Sequence, residues 1–241
     1  MLGALVIGLV AGGALMLVPL RRARRLAAAH EERTRLFAHD RQRVIDFMHL
    51  MAEALGENLS RQELRQRIVH ASILCTGALS ACIFEKTADG RMRGVAVEGL
   101  FPPHRPVAGA GGHATRAAFI EQVLKSEEFP LGEGVVGRVA QSGRPELIAD
   151  AAAAPLIVKH EDAALRVRSV IAVPLEFRGR FFGVLAVANP AEDRPFTEVE
   201  FSLMQSLAEQ AALALHNAEF LDMQIEKTQL DLDLSLARGI Q

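Results

Sequence analysis

The chain has 241 residues, half of them apolar and 23% charged, which fits one ordinary domain with attachments better than two full domains. Its 27 basic and 29 acidic side chains leave a formal charge of −2, which excludes a dedicated nucleic-acid binder, because such proteins need a basic surface to displace counterions. Two cysteines are too few for a secreted disulfide framework and form no CxxC metal pair, and the absence of Trp and Tyr counts against carbohydrate and base-stacking platforms.

Residues 1–20 carry no charged side chain, and twenty helical residues at a rise of about 1.5 Å span the roughly 30 Å core of a bilayer. This predicts a transmembrane helix. The cluster Arg21, Arg22, Arg24 and Arg25 follows the apolar run, whereas a signal peptide carries its basic residues in front. Arginines stay on the cytoplasmic side, so the expected orientation is N-terminus out, in an inner or cell membrane, with the soluble part in the cytoplasm. Ala4, Gly8 and Gly12 form a small-xxx-small row on one face, a dimerisation device or simply the glycine usage of membrane helices.

Residues 21–57 are expected to form a basic juxtamembrane segment and a signalling helix, the stripe Leu36, Val44, Met48, Met51 and Leu55 arguing an amphipathic helix over 26–55. Ser60 and Glu63 have the capping-box form S-x-x-E and start a helix with the stripe Leu64, Ile68, Ala71, Leu74 and Cys75. Strands are expected at 79–86 and 92–97 around an Asp89-Gly90 turn. An irregular excursion follows over 99–133, with helical character at 114–126. Next come a short helix at 135–140, a strand at 146–149 ending at Asp150, and strands at 170–177 and 181–188 joined across Arg178, Gly179 and Arg180. Beyond Phe196 and Thr197 the helical period returns through Phe201, Met204, Ala208, Ala211, Leu215 and Ala218. Leu230, Leu232, Leu234 and Leu236 alternate like a strand, but their helix-forming neighbours favour a helix over 221–241. The order predicts an α+β fold, an antiparallel sheet with helices packed on it.

Gly132, Gly134 and Gly137 spell G-x-G-x-x-G, a phosphate-binding pattern that needs a parallel strand before it. The preceding 126–131, with two acids and a proline, predicts no strand, so the dinucleotide reading fails. The histidines, among them His104, His113 and His160, read as surface or loop residues with no metal-ligand spacing. No nucleophile elbow, H-E-x-x-H or kinase set occurs, so no catalytic residue is expected.

The stretch from Gly132 to Asp150, GEGVVGRVAQSGRPELIAD, closely resembles the central signature of GAF domains. RSVIAVPLEFRGRFFGVLAVAN, from Arg168 to Asn189, resembles their closing hairpin, and the resemblance extends over 58–220. It implies a pocket between sheet and covering helices for a cyclic nucleotide, tetrapyrrole, haem or other small effector. Pocket walls are then expected at Phe84 and Val187 of the sheet and along Ile148, Asp150 and His160, although the apolar ones also read as plain core. Cyclic-nucleotide members carry an N-K…F-x-x-x-D-E pattern; here Asn189, Phe196 and Glu200 fit, but Pro190 replaces the lysine. The ion pair of that pattern is therefore expected to be missing and cyclic nucleotide disfavoured. Covalent bilin is disfavoured too, because Cys75 and Cys82 precede the first hairpin loop.

The C-terminal residues Leu234, Ala237, Arg238, Ile240 and Gln241 resemble the linker that joins GAF domains to bacterial serine phosphatases of the stage II sporulation E (PP2C-like) type. The resemblance implies a membrane-anchored sensory module, a homodimer, whose output domain lies beyond Gln241. A histidine kinase or diguanylate cyclase output and a ligand-free dimerisation scaffold remain as alternatives.

Overall fold

Ser60 begins the first helix, α1 (Arg61–Thr76), through the expected capping box. Its hydroxyl accepts from the Glu63 N–H at 3.3 Å, and the Glu63 carboxylate accepts from the Ser60 N–H at 2.9 Å, satisfying donors a helix start leaves unpaired. Gly77, in the left-handed region at φ 65°, closes the helix by donating to Ile73 O. Ser60→Ala is expected to cost about 1 kcal/mol, seen as a drop of about 2–4 °C in thermal midpoint; an unchanged midpoint would show that the cap contributes nothing. Leu64, Ile68, Ala71 and Cys75 are buried as the stripe predicts, but Leu74 is not, being 55% exposed. The buried arc widens through Ser72, Thr76 and Val69 on the other side of the helix and leaves Leu74 outside it.

The structure, a computed structural model, describes residues 60–106, 115–192 and 194–239. The expected membrane helix over 1–20, the segment 21–57, His113, Ile240 and Gln241 lie outside the described residues. Among the described residues no helix is long and apolar enough to cross a membrane.

After α1 come strands β1 (Ala78–Lys86) and β2 (Arg91–Glu98), helix α2 (Arg116–Ser126), strand β3 (Glu128–Pro130), helix α3 (Gly134–Ser142) and strand β4 (Glu146–Ile148). A single 3-10 turn (Ala163–Leu165), strands β5 (Val170–Phe177) and β6 (Arg180–Pro190), and helix α4 (Glu198–Gly239) complete the chain. The strands form one six-stranded antiparallel sheet in the order β3-β2-β1-β6-β5-β4. The β5–β6 hairpin turns on Arg178 and Gly179, at φ 51° and 75°, the pair of positive angles that matches strand twist. One expectation needs correction: a strand, β3, does precede the G-x-G-x-x-G. It escaped the sequence pattern because it is three residues long with a single buried side chain, Phe129. It lies antiparallel at the sheet edge, so the dinucleotide geometry is still absent.

Both faces of the sheet are covered, which explains why β5 and β6 read as nearly continuous apolar runs. Side chains alternate between the faces. Ala81, Ile83, Ile171, Val173, Leu185 and Val187 face α1 and α4, while Cys82, Phe84, Ala172, Val184, Ala186 and Ala188 face α2, α3 and the long connections. The alternating leucines at the end of the chain fall within α4, which runs unbroken for 42 residues and so crosses the expected boundary at 220. Arg61 pairs with Glu219 and Asp222 of α4 at 3.7 Å each, so the start of α1 lies where α4 passes the end of the domain. From there α4 continues for about 30 Å.

Candidate functional site

The glycines of the G-x-G-x-x-G build a wall. Gly132 and Gly134 have φ of 85° and 65°, and Gly137 packs so closely that a Cβ would stand 2.9 Å from Pro130 O. They seat α3 against β3. Gly134 also makes room for His104, whose Cε1 would lie 2.7 Å from a Cβ there. The imidazole stacks on Phe129 with ring centres 4.3 Å apart, its Nε2 lies 2.8 Å from Glu133 Oε1, and its backbone N–H donates to Glu127 at 2.9 Å. Burial pushes the Glu127 carboxyl above its ordinary pKa, against the opposing hydrogen bond from the His104 N–H. Gly134→Ala is expected to cost about 2 kcal/mol through backbone strain and crowding. It should also move His104 off Phe129, removing the ring-current shift of its imidazole protons in NMR; an unchanged shift would contradict the packing described.

Behind this wall, on the loop face of the sheet, lies a cavity of about 70 Å³. Phe84 lines it, edge-on to Phe101 and to Phe129 with ring centres 5.7 Å apart in each pair. Val170 and Ala188 form its floor, and residues 156–158 and His160 cover it. His160 is 6% exposed, and its Nε2–H donates to Pro103 O at 3.0 Å. A carbonyl only accepts, so the proton sits on Nε2 and Nδ1 carries the lone pair. Burial lowers the His160 pKa, with the Pro103 hydrogen bond opposing, and the ring is therefore neutral near pH 7. Among the described residues no Ser, Cys or carboxylate lines the cavity. Two imidazoles, His104 and His160, in an otherwise apolar chamber can orient a ligand and offer no hydroxyl, thiol or carboxylate nucleophile.

The structure brings Phe84 and His160 together and leaves the other three expected wall residues elsewhere. Val187 points to the opposite face, packed with the α1–α4 core, because its parity along β6 differs from that of Ala188. Ile148 packs against the loop-side core without lining the cavity. Asp150 is exposed, accepts from the Ala152 N–H at 3.0 Å, and borders a separate groove with Arg168 and Arg194. His160, read as a surface or loop histidine, is in a loop but buried. Phe101 and Phe129 escape a sequence reading, and His104 reads only as a loop histidine, because all three come from the excursion, where no periodicity marks a face; Ala188 is found only from the β1–β6 register.

With Pro190 at the lysine position of that pattern, Glu200 pairs instead with Arg194, which donates to it at 2.7 Å. Asn189, at φ 58°, accepts from the Arg168 N–H at 2.7 Å and donates to Arg166 O at 2.8 Å. Ser169 links Phe196 N–H to Ile148 O. The residues that resemble a cyclic-nucleotide pattern thus brace the end of β6 to the start of α4. Cys75 and Cys82 are both buried and unbridged, and burial pushes the Cys82 thiol well up. Among the described residues no cluster of three metal-ligating side chains occurs.

A family model described as GAF domain matches residues 58–216. Solved structures share the fold at low identity. The GAF domain of an Acinetobacter phosphoenolpyruvate-protein phosphotransferase is 18% identical, with a TM-score of 0.55 over 73% of this chain and 93% of that one. Its counterpart from Coxiella burnetii is 17% identical, with a TM-score of 0.55 over 76% and 98%. The second GAF domain of DevS from Mycobacterium smegmatis is 17% identical, with a TM-score of 0.51 over 68% and 99%.

Proposed function

The chain belongs to the GAF-domain family, and from that premise we propose that it is the sensory module of a signal-transduction protein, with a small effector in the loop-side cavity controlling an output through α4. The observation that carries this reading is the placement of one strand. Val184 and Ala188 of β6 belong to the cavity side, while Leu185 and Val187, between them, pack against the α1–α4 layer. An effector acts on the helices only through unequal affinity for two arrangements of them, and about 1–3 kcal/mol of difference gives ordinary coupling.

The proposal extends to a membrane anchor at 1–20 with the domain in the cytoplasm, a homodimer through the helix layer, and a PP2C-type serine/threonine phosphatase output, with histidine kinase or diguanylate cyclase as other outputs. The small cavity favours one rival, a ligand-free dimerisation scaffold, since effector clefts usually run to about 300–1,000 Å³. Native mass spectrometry of the full chain from its own source separates the two. A retained non-protein mass that Ala188→Leu abolishes supports the effector reading; parent and variant each at the mass of the bare polypeptide favour the scaffold.

A further inference from the structure

Resting on that effector reading, we propose that the cavity takes a small uncharged aromatic ligand, about one ring in size, whose single O–H or N–H donates to Nδ1 of His160. Three features carry the assignment. The first is charge: no Lys, Arg, Asp or Glu lines the cavity among the described residues, and of its two imidazoles His104 already pairs with Glu133. A phosphate or carboxylate ligand would be buried there without a counter-charge, at a cost of several kcal/mol. The second is shape. Phe84 meets Phe101 and Phe129 edge to face, and rings prefer edge-to-face or offset contacts with one another, so this lining suits a further ring. The third is the polar handle: Pro103 O takes the Nε2–H of His160, the structure gives Nδ1 no protein partner, and the ring lines the cavity. A ligand donor at this lone pair adds specificity as well as affinity.

The volume decides what must move. About 70 Å³ is roughly the space of two waters, so a six-membered ring enters by displacing part of its cover. Within that cover residues 156–158 can yield: no strand pairs with residues 152–167, and the segment is tied on either side of them, by the Ala151 N–H donating to Arg168 O at 2.9 Å, by His160 on Pro103 O and by the Arg116–Asp162 ion pair.

The test uses phenol as the probe and the full chain in detergent. The chain has no Trp and no Tyr, so phenol emission is read without a protein background. We expect saturable one-to-one binding to the parent and none to Ala188→Leu, which fills the floor of the cavity; the difference removes partition into micelles. His160→Phe should weaken phenol about tenfold and leave benzene, which has no donor, unchanged. Phenol binding that is equal in parent and Ala188→Leu, or an equal loss of phenol and benzene in His160→Phe, overturns the assignment. The two readings can fail separately. If cyclic AMP saturates the parent but not Ala188→Leu while phenol does not, the ligand class is wrong and the effector site stands. If neither probe distinguishes parent from variant, the effector site falls with it.

Discussion

Gly183→Ala is expected to be the most damaging single methyl group in the domain, costing about 3–5 kcal/mol. Gly183 lies opposite Leu175 beside the irregularity of the β5–β6 ladder, at φ 148°, and its Cβ would stand 2.2 Å from the Phe84 carbonyl oxygen. That oxygen belongs to the backbone of β1 and cannot rotate away, so β1 and β6 must part at Phe84, which lines the cavity. The thermal midpoint should fall by about 10 °C. Gly179→Ala provides the control: its φ is 75°, yet nothing lies within 4 Å of the added methyl, so only backbone strain of about 1 kcal/mol applies. Equal effects of the two substitutions would contradict the close approach.

Glu200→Gln should cost about 2–3 kcal/mol at neutral pH. The Glu200 side chain is 6% exposed and accepts from Arg194 at 2.7 Å, from the Thr197 N–H at 2.9 Å and from the Thr197 hydroxyl. It therefore caps α4 and anchors Arg194 in one group. Burial alone would raise its pKa, but the hydrogen bonds from Arg194 and Thr197 outweigh burial and hold it below the ordinary carboxylate value. A group whose pKa is depressed by folding contributes its full stability above the unfolded value and loses it as pH falls through the folded one. The gap between parent and Glu200→Gln should thus be widest near about pH 7 and close below about pH 4. A gap that stays constant under acid would show that the charge of Glu200 contributes nothing.

The regular elements were legible because each announces itself locally. Ser60 and Glu63 mark a helix start, Arg178-Gly179 marks a tight turn, and β5 begins and ends where its apolar run does. Only part of the site was legible, for two physical reasons. Parity along a strand tells which residues share a face but not which face holds the cavity; Val187 and Ala188 are neighbours on opposite sides, and only pairing with β1 decides between them. The remaining walls, Phe101, His104 and Phe129, come from connections shaped by tertiary contact. His104 sits where it does because Gly134 is left-handed and Phe129 is held on the sheet edge by β3. The Arg194–Glu200 pair was missed for a similar reason: the acid was noticed, but its partner stands in a turn two residues before Phe196 and fits no spacing rule.

The central claim is that occupancy of the loop-side cavity is felt by the helices on the other side of the sheet. Amide hydrogen exchange of the full chain, with and without saturating phenol, tests it most directly. The expected result is a change in protection both in the covering segment 152–167 and in α4 between Glu198 and Glu219, with neither change in Ala188→Leu. A response confined to the covering segment, with α4 exchanging identically in both states, would contradict it.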